Sequence, residues 1–221
     1  RLEPALRLAL SLGAWVSVDT PCPRVAEHAL AVGAHLVNDV SCLADPDLAA
    51  VTARRGAALI LMHTRGALGS MAGYSEYPAT GYRDVAAEVI DEWSGVRDRA
   101  ISAGLPADRV LFDPGLGFAK NAAQSFELLR RLPELVAVGA RVVLGPGRKS
   151  FISALDGSAP DDRLGGTIAA CLLAAERGVS VLRVHDVAEV RQALDVARAG
   201  TLPDSGPGRT ARPEAEGATD A

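Results

Sequence analysis

A carboxylate, a glycine turn, an aromatic ring and a lysine fall together in Asp113-Pro114-Gly115-Leu116-Gly117-Phe118-Ala119-Lys120, directly after the apolar run Val110-Leu111-Phe112. That run reads as a buried strand, so Asp113 stands where the strand leaves its sheet. Gly115 and Gly117 permit positive φ and close backbone approach, as a loop that cradles a ligand requires. Asp before Pro-Gly also caps turns, and by itself the motif does not choose between the two roles. The other apolar runs end in similar chemistry. Trp15-Val16-Ser17-Val18 ends in Asp19-Thr20, Leu36-Val37 in Asn38-Asp39, and residues 58–62 in His63. Arg141-Val142-Val143-Leu144 runs into Gly145-Pro146-Gly147-Arg148-Lys149-Ser150, and the last run, residues 181–185, carries Arg183 and His185.

Two buried carboxylates, Asp19 and Asp113, with the amide of Asn38, would suit a flat heterocycle that offers N–H donors. Arg183 and His185 are two apart on a strand and so share a face. With Lys149 they form a cationic cluster for a phosphate-bearing group. A short helical segment beginning at Arg148-Lys149-Ser150 would turn backbone N–H groups toward a carboxylate. Each has a plainer role beside it. Asp19-Thr20 before Pro21 makes a turn cap, and Asn38-Asp39-Val40-Ser41 suits a helix start. His28, His35 and His63 individually read as structural or exposed, and Tyr74 and Tyr77 as loop anchors. No Walker or G-x-G-x-x-G pattern follows a strand.

The elements between these ends alternate. Helical spacing covers residues 2–12, 23–32, 45–55, 82–103, 122–132, 164–177 and 187–199, with Asp45 as N-cap and Pro46 at the first position of the third. The long segment 64–80, rich in Gly, Ser and Tyr, is of a length usually reserved for function. Strand-then-helix alternation implies a parallel sheet with helical crossovers. In an open doubly wound sheet only the switch point needs chemistry, whereas in a barrel all carboxyl ends converge on one mouth. Chemistry at every strand end favours the barrel. Six strands with an orphan helix in front imply that two strands belong upstream. The domain is therefore read as residues 1–199, and residues 200–221, rich in Gly, Pro, Ala and acidic residues, as a disordered tail.

Composition narrows the function classes. The 221 residues are 48% hydrophobic and 23% charged, with a formal charge of −4. There is no basic field for nucleic acid, no stretch of membrane-spanning length and no secretion signal. Cys22, Cys42 and Cys171 are odd in number and lack a C-x-x-C spacing, which speaks against disulfides or zinc and for the cytoplasm. Cys171 reads as a small buried hydrophobe in an Ala/Leu helix.

Taken in order, seven stretches resemble the dihydropteroate synthase family: Ser17-Val18-Asp19-Thr20, Asn38-Asp39-Val40-Ser41, Leu61-Met62-His63-Thr64-Arg65-Gly66, Asp113-Pro114-Gly115-Leu116-Gly117-Phe118, Arg148-Lys149-Ser150-Phe151-Ile152, Arg163-Leu164-Gly165-Gly166-Thr167 and Arg183-Val184-His185-Asp186-Val187. The resemblance implies a (β/α)8 barrel, incomplete here, that joins p-aminobenzoate to a pterin diphosphate and releases diphosphate. It implies that Asp19, Asn38, Val40, Met62, Asp113, Phe118, Gly145, Lys149 and Arg183 form the pterin site, and that Arg183 and His185 face the diphosphate. It places Ser150 and Arg148 at the p-aminobenzoate carboxylate, with Asp19, Lys149, Arg183 and His185 as the catalytic set. Mg2+ is implied too, held by an asparagine on a strand upstream of this chain, so no metal ligand is expected within it. A homodimer through the last two long helices is implied as well. Gly147 departs from the family's usual Ser. Two alternatives stand beside the enzyme: a non-catalytic pterin-binding paralogue, and a pterin-dependent methyltransferase domain, from which the Arg-Lys-Ser and Arg-Val-His-Asp-Val stretches point away. Alone, six strands with two open edges are expected to be poorly soluble or to pair through those edges.

Overall fold

The computed structural model describes residues 2–66 and 75–201. Six parallel strands run in sequence order across one curved sheet: β1 (Ser17–Asp19), β2 (Leu36–Asp39), β3 (Ala58–Met62), β4 (Val110–Asp113), β5 (Arg141–Leu144) and β6 (Val181–Leu182). The helices are α1 (Leu2–Ser11), α2 (Pro23–Val32), α3 (Asp47–Arg54), α4 (Val85–Ser102), α5 (Ala122–Arg130), α6 (Leu132–Val136), α7 (Ser150–Asp156), α8 (Leu164–Glu176) and α9 (Val187–Thr201). Each strand leads through helix to its neighbour, the parallel order that the alternation predicts, in the arrangement of a partial barrel that the chemistry of the strand ends favours.

Strand periodicity sorts the residues into two sets. Val18, Val37, Leu59, Leu61, Phe112, Val142 and Leu144 face the helices and belong to the main core. Ile60, Leu111 and Val143 form a second, smaller cluster with Leu36 and Ala58 against it, which lines the concave side. One step beyond that layer, the same alternation presents Asp19, Asn38, Met62 and Asp113, in register Asp19↔Asn38 and Met62↔Asp113. The main core is anchored by α4: Trp93 stacks on Phe112 with centroids 4.2 Å apart, and its indole N–H donates to the Leu61 carbonyl at 3.0 Å.

Several element ends differ from the sequence reading. Residues 122–132 do not form one helix, because Pro133 has no N–H for the Leu129 carbonyl and its ring crowds that turn. The chain breaks at Arg131, and the Leu129 carbonyl accepts from Arg177 at 2.8 Å instead. The third helix begins at Asp47 with Pro46 outside it, and Asp45 accepts from the Asp47 N–H at 3.0 Å in a local turn. The fourth begins at Val85, capped by Asp84, which accepts from the Ala87 N–H. β6 is two residues long, although Arg183 N–H still donates to the Leu144 carbonyl at 2.9 Å. The last helix runs to Thr201, so Gly200 and Thr201 are helical rather than part of the tail; residues 202–221 lie outside the described residues. Tyr74 also lies outside them, whereas Tyr77 packs on Tyr82 at 5.6 Å and its carbonyl accepts from Asn121. No described helix is long and apolar enough to cross a membrane. Cys171 is buried in α8, as expected, and all three cysteines are free.

Candidate functional site at the carboxyl ends of the strands

One cavity of about 610 Å³ opens at the carboxyl ends of the strands, and every side chain or glycine that the resemblance assigns to the site lines it. The lumen-facing ends supply its floor, and the loops after β4 and β5 supply its walls. His63 is the exception among the strand ends. Its ring turns away from the cavity and is wholly buried, as the structural reading of this histidine expects.

Asp113 is the most enclosed carboxylate of the cavity. Its Oδ1 accepts from the Gly115 N–H at 2.8 Å, and burial pushes its carboxyl up against the opposing pull of Lys149, Lys120 and Arg183. Gly115 is required there: at φ +68° a Cβ would lie 2.1 Å from the His63 carbonyl oxygen. The β3 and β4 ends are thus in backbone contact, reinforced by the His63 N–H donating to the Asp113 carbonyl at 2.8 Å.

Asp19 corrects one expectation. It is not buried; its side chain is 48% exposed, because β1 is an edge strand. It is nonetheless fixed, accepting from the Asn38 amide at 2.6 Å and from Arg183 Nη2 at 2.9 Å. Asn38 itself is buried, while its neighbour Asp39 points to the helix side. Asp39 accepts from the Ser41 N–H at 2.9 Å and the Leu43 N–H at 2.6 Å, holding a turn in which Cys42 and Leu43 both have positive φ. Strand alternation has divided the pair into one lumen-facing amide and one turn-forming carboxylate.

Lys149 Nζ sits 4.1 Å above the centroid of the Phe118 ring and donates to the Leu116 carbonyl at 3.2 Å. Burial pulls its amine down to about 8, while Asp113 opposes that pull. Phe118 and Met62 line the same cavity, so apolar surface, a cation and a carboxylate meet where a flat polar ring would fit. Ser150 opens α7 and its hydroxyl donates to Ser75 Oγ at 2.8 Å, which places Ser75 beside it. Arg148 lies at φ +52°, its N–H donating to Thr167 Oγ1 and its carbonyl accepting from Arg163, both at 3.0 Å. Its guanidinium is already engaged by Asp186, at 3.0 and 2.6 Å, and by Asp161 at 2.5 Å. A Cβ at Gly147 would come within 3.1 Å of His185 Nδ1 and 3.3 Å of Val184 Cα, close enough that those neighbours would have to give slightly. Arg183 and His185 are both exposed at the rim.

Sequence reasoning missed Arg163 and Thr167 as the clamp on Arg148, although both belong to the Arg-Leu-Gly-Gly-Thr stretch. It also gave Lys120 no role. Among the described residues no group of three or more His, Cys, Asp or Glu side chains is placed to hold a metal ion. No step below passes through Mg2+.

The comparisons agree with this geometry. The family described as pterin binding enzyme matches residues 1–185. A dihydropteroate synthase of Mycobacterium leprae is 42% identical over 90% of this chain and 71% of its own length. A second M. leprae protein, named inactive dihydropteroate synthase 2, is 39% identical over 89% of this chain and 67% of its own. The chain spans 64% of the Escherichia coli dihydropteroate synthase and 24% of a longer Haloferax volcanii relative. Among solved structures, the dihydropteroate synthase of Thermus thermophilus in complex with 6HMPPP is 45% identical with a TM-score of 0.79, covering 89% of this chain and 74% of that one. The same enzyme is known in complex with 4-aminobenzoate.

Proposed function

Because the chain belongs to the pterin-binding enzyme family, we propose that it is a dihydropteroate synthase sequence, joining p-aminobenzoate to 6-hydroxymethyl-7,8-dihydropterin diphosphate. The observation that carries this is the single cavity in which Asp113, Asn38 and Asp19 line one end of the strands beside Lys149 and the Phe118 ring. The Asp113 carboxylate accepts ring N–H donors in a buried setting where such bonds are strong. Lys149 donates to the ring's carbonyl side. Arg183 and His185 at the rim attract the diphosphate, and the Ser150 end of α7 receives the p-aminobenzoate carboxylate. Arg148 serves there less through its guanidinium, which two aspartates already hold, than through the backbone turn it makes.

In the reaction the arylamine nitrogen bonds to the pterin methylene carbon while the carbon–oxygen bond breaks and its electron pair departs with diphosphate. The amine gives up one proton. No side chain forms a covalent bond; positioning and stabilisation of the leaving anion supply the rate. Mg2+ stays in the proposal through the family resemblance alone. The resemblance and the apolar character of Leu164–Glu176 support a homodimer through α8 and α9, where Leu173, Val187 and Val196 are exposed. The three free thiols support the cytoplasm as its compartment.

A non-catalytic pterin-binding paralogue is the second reading, favoured by the likeness to the inactive M. leprae protein. Incubation with both substrates separates the two. Diphosphate release that depends on p-aminobenzoate, with dihydropteroate formed, supports the enzyme. Saturable pterin binding without release supports the paralogue.

A further inference from the structure

Lys120 is fully buried, does not line the cavity, and has no part in the chemistry above. Among the described residues its ammonium has three acceptors, none a carboxylate: the Phe118 carbonyl at 3.0 Å, His63 Nδ1 at 2.9 Å and the His63 carbonyl at 3.3 Å. A cation buried without a carboxylate partner carries a desolvation cost that hydrogen bonds to neutral acceptors offset only in part. The His63 carbonyl it holds is the same oxygen that Gly115 abuts, and Phe118 closes the loop that begins at Asp113. The His63 ring is fixed in turn. Its Nε2–H donates to Glu92 at 2.9 Å, leaving Nδ1 as acceptor, and Glu92 is bound by Arg65.

We propose that Lys120 is a positioning residue for Asp113: from outside the cavity it clamps the ends of β3 and β4 together and provides buried positive charge that keeps the carboxylate ionised. The inference rests on the pterin reading of the cavity. The charged groups acting on Asp113 are Lys149, Lys120 and Arg183. Those acting on Lys120 are Asp113, Cys42, Arg65, Glu92 and His63, and burial brings its amine down to about 7. Burial together with Lys120 also holds the His63 ring down to about 4. Below pH 7 the ammonium is therefore charged, and it opposes protonation of Asp113 throughout the acid limb of pterin binding.

The test is calorimetric titration of the protein with 6-hydroxymethyl-7,8-dihydropterin diphosphate across that acid limb, for wild type, Lys120→Met, Lys120→Gln and Asp113→Asn. Lys120→Met removes both clamp and charge; Lys120→Gln loses the charge but keeps an N–H donor on a slightly shorter side chain. The expected result is binding weakened about tenfold or more in Lys120→Met and less in Lys120→Gln, with the acid limb moved to higher pH in both. Should Lys120→Met fail to fold, Lys120→Gln decides through its limb. Unchanged affinity, or weakened affinity with an unmoved limb, overturns the inference, the latter leaving Lys120 as packing alone. Wild-type binding by Asp113→Asn overturns the pterin reading itself, and this inference with it.

Discussion

The centre of the sheet and its two edges contribute to the same cavity on different terms. β3 and β4 are covered on both faces, and the ends that meet there are joined by backbone bonds, by Gly115 against the His63 carbonyl, and by the buried Lys120. β1 and β6 are short and open. Trp15 is 79% exposed and Val181 41% exposed, and the edge side chains Asp19 and Arg183 find each other across the mouth at 2.9 Å while both remain about half exposed. Asp113 is thus fixed by its buried surroundings, whereas Asp19 and Arg183 are held at an open edge by each other and, for Asp19, by Asn38.

Substitutions at the centre should therefore be costly and those at the edge mild. The largest effect on stability is expected for Gly115→Ala. Its positive φ and the 2.1 Å approach to the His63 carbonyl leave no room for a methyl group without separating β3 from β4. A loss of about 2–4 kcal/mol of stability follows, read as a drop in urea midpoint; a midpoint equal to wild type would mean that the two ends are not locked.

Lys149→Met comes next and separates binding from stability. The folded lysine sits at about 8, below its ordinary 10.5, so the folded state resists the charged form. Stability tied to this group accordingly rises as pH climbs from about 8 toward 10.5, and the Met variant should be no less stable than wild type at neutral pH. Pterin affinity should nevertheless fall by about 1–2 kcal/mol with the lost charged donor. Wild-type affinity should also decline as pH rises through about 8, with the variant flat across that range. A parallel decline in both proteins would assign the pH dependence elsewhere.

The smallest effect is expected at the edge. Asp19→Asn breaks an exposed ion pair worth about 0–1 kcal/mol to stability, and thermal melting should move by no more than about 2–4 °C. A shift as large as that of Gly115→Ala would show the edge to be as constrained as the centre.

Much of this division was legible in the sequence, for physical reasons that can be named. Polar residues at successive strand ends marked Asp19, Asn38 and Asp113 as parts of one mouth, the two-residue period put Arg183 and His185 on one face, and the family resemblance added Met62. The Gly and Pro turns after β4 and β5 marked where backbone would approach a ligand. What stayed illegible depends on partners distant in the chain. Lys120 and His63 are 57 residues apart, and no local pattern ties them. Asp186 and Asp161 hold Arg148 from two different loops. The exposure of Asp19 follows from its strand's place at the sheet edge, which a run of apolar residues does not reveal. The break at Arg131 was within reach, since Pro133 forbids the bond that a continuous helix needs.

The central claim is that the closed half of the cavity reads a pterin through Asp113. It is tested most directly by titrating 6-hydroxymethyl-7,8-dihydropterin diphosphate into wild type and Asp113→Ala at neutral pH, by calorimetry. Wild type should bind saturably and one-to-one, and the variant should lose about 3–5 kcal/mol, because ring N–H donors would lie buried without their charged acceptor. Equal affinities in the two proteins would contradict it.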